Sequence, residues 1–133
     1  MDLNWRKQYV GVLEMEYDGI RFYFIDNEYY FNGYAPYGDI YADIEKFAFF
    51  SKAVLSALPL IDFRPDIIHC HDWQAGLVPV YLRTLFQDSP VGRARSILTI
   101  HNLRFQGIYN IPTIQYCPAC LILYSIWRAQ ARL

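Results

Sequence analysis

Arg64-Pro65-Asp66-Ile67-Ile68-His69-Cys70-His71-Asp72 and, about twenty-five residues later, Ser96-Ile97-Leu98-Thr99-Ile100-His101 decide the fold. Each is a short apolar run that ends in polar residues. Runs of this length and composition read as buried strands of a parallel sheet. Between them, Trp73 to Phe86 reads as a helix, with Trp73, Leu77, Val80, Tyr81 and Leu85 on its apolar stripe. Pro79 lies inside that span and is expected to bend it. Ser89-Pro90-Val91-Gly92 reads as a turn. Strand, helix and strand in this order form a βαβ unit with parallel strands. Their carboxyl ends share one sheet edge, which is where open α/β sheets bind ligands. His71-Asp72-Trp73 and His101-Asn102-Leu103 therefore emerge side by side at that edge.

Upstream, Gln8 to Tyr17 and Ile20 to Ile25 are strand-like and are joined by Asp18-Gly19. A two-residue Asp-Gly link is a strong hairpin signal, because a type I′ turn needs positive φ at both positions. Asp26 to Gly38 reads as a loop, although it carries Tyr29, Tyr30, Phe31, Tyr34 and Tyr37. From Tyr41 to Leu58 the period becomes helical, with Ile44, Phe47, Ala48, Leu55 and Leu58 on one stripe. Asp39 or Asp43 is the candidate N-cap, and Pro59 falls just past the end. The fold class is thus α/β: a partial Rossmann-like domain with a β-hairpin near its N-terminus.

A chain of 133 residues holds one domain. Its 54% hydrophobic content suffices for a core. A net charge of −1 with no basic run excludes a nucleic-acid footprint. No stretch is long and apolar enough to span a membrane, so no membrane partner is expected. Three cysteines, an odd number, argue against a disulfide scaffold and for a reducing compartment. The charged N-terminus lacks the apolar core of a signal peptide. The twelve tyrosines suit either hydroxylated ligands or aromatic packing, and packing is the commoner reason.

Each candidate site residue has a plainer reading beside the functional one. Asp72 precedes a helix and reads first as its N-cap. His69 is expected to face the other side of the sheet from His71, as a core or supporting histidine. Trp73 reads equally well as a core residue at the helix start. His69, His71, Asp72 and His101 include possible metal ligands, but the sequence does not make them converge, and no metal is expected. Cys117-Pro118-Ala119-Cys120 is a single C-x-x-C without a second pair and is read as incidental. What shifts the balance towards a site is that two polar clusters end neighbouring strands.

Pro65-Asp66-Ile67-Ile68-His69-Cys70-His71-Asp72-Trp73-Gln74-Ala75-Gly76-Leu77 resembles the His-x-His-Asp-Trp-x-x-Gly motif of bacterial glycogen synthases and plant starch synthases. Thr99-Ile100-His101-Asn102-Leu103-Arg104-Phe105-Gln106-Gly107 resembles their Thr-x-His-Asn-Leu motif, at the spacing of that family. Tyr37-Gly38-Asp39 and Lys46-Phe47-Ala48-Phe49-Phe50-Ser51-Lys52-Ala53 fit as well, and the resemblance runs from Trp5 to Tyr116.

The resemblance implies a GT-B glycosyltransferase, built from two Rossmann-like domains with the active site in the cleft between them. It implies transfer of glucose from ADP-glucose to the non-reducing end of an α-1,4-glucan, with retention. No cofactor or metal is implied, because ADP-glucose is a substrate. By position, His101 matches the active-site histidine that contacts the transferred glucose. Asp72 matches the acidic residue beside the acceptor sugar. Trp73 and Tyr37 become candidates for packing on sugar faces, and Asn102 and Gln106 for supporting groups.

The family's Lys-x-Gly-Gly-Leu loop and C-terminal domain do not occur in these residues. The isolated chain is therefore expected to lack synthase activity and to aggregate through uncovered apolar edges. Residues 1–116 are read as part of a synthase N-terminal domain. Residues 117–133 are read as an atypical tail, expected to arise from out-of-frame translation. A bacterial cytoplasm is the expected compartment, with a plastid if the source is a plant. Two alternatives are a non-catalytic glucan-binding module and a different retaining GT-B transferase.

Overall fold

The computed structural model describes residues 1–3, 6–33, 35–110 and 112. Short strands β1 (Asp2–Leu3) and β2 (Arg6–Lys7) pair antiparallel at the start. Strands β3 (Gly11–Tyr17) and β4 (Ile20–Asp26) then form the expected hairpin, with Gly11 opposite Asp26 and Tyr17 opposite Ile20. Asp18 and Gly19 take φ of 51° and 72°, as a two-residue primed turn requires. The period of two puts Leu13, Met15 and Tyr17 on the same face as Phe24, Phe22 and Ile20, and all six are exposed. The opposite face carries an Arg21–Glu14 ion pair at 3.2 Å.

The loop expected over residues 26–38 contains a helical turn, α1 (Glu28–Phe31). Buried Asn27 starts it by accepting a hydrogen bond from the Tyr30 amide through Oδ1. Its Nδ2 donates to the Tyr9 carbonyl at 2.7 Å. Four residues are too few to show a helical period, which hides such a turn in the sequence. The turn lays Tyr30 on Phe49, with ring centroids 4.5 Å apart, so packing accounts for this tyrosine.

Helix α2 (Ile40–Ala57) is the spine of the molecule. Asp39 is its N-cap, accepting from the amides of Tyr41 and Ala42. Asp43 takes a different part. It is buried, receives the Gly38 amide on both carboxylate oxygens and pairs with Lys46 at 3.2 Å. One end of α2 packs Ile44, Ala48, Phe49 and Ala53 with Leu3. The other packs Leu55 and Leu58 with Cys70, Val78, Tyr81, Leu82, Val91 and Ala94. Leu77 touches both clusters and joins them. Burial pushes the Cys70 thiol up from its ordinary value, as befits a packing residue.

Strands β5 (Ile67–His71) and β6 (Arg95–Thr99) are parallel neighbours, with His71 opposite Thr99. The crossover differs from the single helix expected over residues 73–86. A 3₁₀ turn at Trp73–Ala75 is followed by α3 (Leu77–Arg83) and a second 3₁₀ turn at Pro90–Arg93. Pro79 does not bend α3. It sits in the first turn, where a missing N–H breaks no intrahelical bond. The chain leaves the helix after Arg83, whose guanidinium donates to the carbonyls of Gly92 and Ala94, both at 2.9 Å. Arg83→Met keeps the apolar stem and loses both bonds. We expect a loss of about 1–2 kcal/mol, seen as a lower urea midpoint at unchanged m-value.

Candidate functional site

The βαβ unit brings the two polar strand ends together. The parallel ladder runs one step past β5, where the Asp72 amide donates to the Thr99 carbonyl at 2.9 Å. There the chain turns sharply, and Asp72 adopts φ 58° and ψ −175°. That region is essentially reserved for glycine, so an aspartate held there is strained. Its carboxylate does not cap the following turn, contrary to the plainer expectation. Oδ1 instead accepts the backbone N–H of His101 at 2.7 Å, across the strand gap.

His71 and His101 meet directly, Nδ1 to Nε2 at 2.9 Å, with their rings nearly parallel at 5.1 Å. His69 does not face the other side of the sheet. In a regular strand, residues two apart share a face. The His69 ring lies 4.3 Å from that of His71, and its Nε2 meets Thr99 Oγ1 at 2.7 Å. The core side of β5 belongs to Ile68 and Cys70. The sequence signal for this was present in the His-x-His spacing.

The other candidates fall into two groups. Asn102 and Gln106 shape their own loop: Asn102 Oδ1 accepts from the Arg104 amide at 3.0 Å, and Gln106 Nε2 donates to the Leu103 carbonyl at 2.7 Å. Trp73 is packed by protein. Phe47 meets it edge-on at 4.9 Å, Tyr109 lies at 6.1 Å, and Gly107 leaves no room for a Cβ over its ring. This contact ties the loop after β6 to the start of the crossover. Tyr37 is exposed and accepts a hydrogen bond from Gln74 Nε2 at 2.5 Å, while its ring leans on Phe47. Gln74, Phe47 and Tyr109 thus support the site; Phe47 is legible on the apolar stripe of α2, whereas no local pattern singles out Gln74 or Tyr109.

Exposed His71 and His101 and half-exposed Asp72 gather at one sheet edge, and exposed Tyr37 is linked to them through Gln74, two residues past Asp72. They offer ring nitrogens, a carboxylate and a phenol to a hydroxylated ligand. Among the described residues, no group of three or more His, Cys, Asp and Glu is placed to hold a metal ion. Nor is any helix among them long and apolar enough to cross a membrane. The C-x-x-C and the tail expected to be out of frame lie outside the described residues.

Known proteins share this sequence and frame. The chain is 65% identical over 116 residues to a glycogen synthase of Lachnoclostridium phytofermentans, covering 86% of this chain and 24% of that protein. It is 60% identical over 116 residues to a glycogen synthase of Lachnospira eligens, with the same coverage. The chain thus spans about a quarter of the length of these relatives. Among solved structures, the catalytic domain of starch synthase IV from Arabidopsis thaliana, bound to ADP and acarbose, superposes with a TM-score of 0.70. It is 31% identical, and the match covers 81% of this chain and 22% of that one. The α/β frame described above is accordingly part of an N-terminal GT-B unit. Residues 1–121 match the starch synthase catalytic domain model, and the chain belongs to that family.

Proposed function

We propose that this chain forms the acceptor-side part of the active site of an α-1,4-glucan synthase. The enzyme moves glucose from ADP-glucose to the non-reducing end of the glucan, with retention of configuration. The observation that carries this reading is the meeting of His71-Asp72 and His101 at one sheet edge, with contacts of 2.7 and 2.9 Å. A glucosyl transfer state resembles an oxocarbenium ion, so fixed dipoles around the sugar hydroxyls lower the barrier. His101 contacts the transferred glucose. Asp72 holds His101 in place and borders the acceptor sugar. Tyr37, bonded to Gln74 just past Asp72, is exposed and offers a ring on which a sugar face can stack. Asn102 and Gln106 keep the loop after β6 in shape. The nucleotide sugar is held mainly by the part of the enzyme that corresponds to the unmatched length of the relatives. A relative bound to ADP supports a nucleotide-sugar donor. We place the enzyme in the cytoplasm, where an unpaired buried thiol such as Cys70 persists.

A chimera tests this. Residues 1–116 replace the matching segment of the Lachnoclostridium glycogen synthase, and transfer of labelled glucose from ADP-glucose to glycogen is measured. The chimera should be active, and His101→Ala within it should lower kcat about a hundredfold or more. A His101→Ala chimera as fast as its parent would remove the basis of the assignment.

A further inference from the structure

We propose that His71 is the positioning residue for His101, setting both the orientation and the tautomer of its imidazole. The proposal rests on the reading of His101 as the group that contacts glucose. A neutral imidazole has one N–H and one bare nitrogen. Two rings that meet nitrogen to nitrogen at 2.9 Å must take opposite roles, so their tautomers are tied together. His71 is well suited to impose its choice. It is a strand residue, paired in the ladder with Thr99. Its ring is backed by His69 at 4.3 Å, and His69 is itself held by Thr99 Oγ1.

His101, by contrast, lies beyond the end of β6. It is fixed at two points: its backbone N–H by Asp72 and its ring Nε2 by His71. With Nε2 engaged, Nδ1 is the ring nitrogen left to meet a sugar hydroxyl. Whether that nitrogen donates or accepts is then tied to the tautomer of His71. A histidine in the wrong tautomer presents a bare nitrogen where an N–H is needed, or the reverse. The site would then bind its ligand and still fail in the reacting geometry.

The experiment uses the active chimera. His71→Phe in the chimera should lower kcat about tenfold, while KM for glycogen stays within about twofold. His71→Asn should recover part of the loss, because its amide puts a hydrogen-bonding group where Nδ1 stood and so restores the orientation of His101. In the ¹⁵N-histidine-labelled chimera, His101 should show one tautomer, and His71→Phe should turn it into a mixture. If His71→Phe leaves kcat unchanged while His101→Ala lowers it, the positioning role is wrong and the functional reading stands. If His101→Ala has no effect, the functional reading fails and takes this proposal with it. Equal losses in His71→Phe and His71→Asn, or an unchanged tautomer of His101 in His71→Phe, would also overturn the proposal.

Discussion

Asp72→Gly is expected to leave folding stability within about 1 kcal/mol of the parent and to lower glucosyl transfer in the chimera about a hundredfold. Two opposed effects produce the near-neutral stability. Asp72 sits at φ 58°, ψ −175°, where a Cβ costs about 1–3 kcal/mol and glycine rests without strain. Against that relief stands the loss of a charge-assisted bond to the His101 amide, worth about 1.5–3 kcal/mol. The extra freedom of glycine in the unfolded chain costs about 0.5–1 kcal/mol more. The bond is exposed, which pulls its value to the lower end. The site has no such compensation. Without the carboxylate, the backbone of His101 is untethered, and the group that borders the acceptor is gone. Urea unfolding and kcat, measured on the same chimera, separate the two effects. A large destabilisation would mean that the backbone is not strained there. Full activity would mean that the carboxylate has no part in the site.

Gly107→Ala is expected to lower transfer by tenfold or more, whereas Gly19→Ala should leave it unchanged. Both glycines have positive φ, 59° and 72°, so both substitutions carry a left-handed penalty of about 1–2 kcal/mol. They differ in what the new Cβ meets. At Gly19 nothing lies within 4 Å. At Gly107 the Cβ would fall on the six-membered face of Trp73. The indole cannot retreat, because Phe47 packs edge-on against it and Tyr109 lies beside it. The loop must therefore lift, carrying residues 102–107 away from the strand end that presents His101. Comparison of the two alanine variants isolates the contact from the backbone strain. Equal effects on kcat would show that the Trp73–Gly107 contact does not hold the loop.

Local chemistry made much of the frame legible. Asp18-Gly19 announced the hairpin because few other pairs tolerate two positive φ values. Asp39 and Pro59 bracketed the long helix through capping and a missing N–H. The two apolar runs with polar ends gave the parallel pair and the edge on which ligands gather. The motifs around His71 and His101 also pointed to the family that the matched relatives establish.

Other features were not legible, for reasons of range. The helical turn at Glu28–Phe31 is too short to carry a period. The crossover breaks into a 3₁₀ turn and a seven-residue helix, although its apolar stripe runs on to Leu85. Local periodicity does not see the tight turn forced at Asp72 or the pull of the Arg83 bonds on the chain after α3. The placement of His69 is different. The period of two already put it beside His71; facing it to the other side of the sheet, as a core residue, misread that signal, while its reading as a supporting histidine agrees with its contacts to His71 and Thr99.

The sequence by itself determined that two parallel strands run up to the polar clusters, and that those clusters lie on one edge, although β6 stops at Thr99, two residues before His101. Tertiary structure alone decided what those residues do to one another. Asp72 had the chemistry to cap its own turn, and it holds the His101 amide instead. Trp73 had the surface to stack on a sugar, and it packs on Phe47 and Gly107. His71 and His101 share a hydrogen bond across thirty positions of chain. The physical reason is that a side chain takes the partner that strand register brings within about 3 Å. Register across a βαβ crossover is set by the packing of helix on sheet, which no local run of residues encodes.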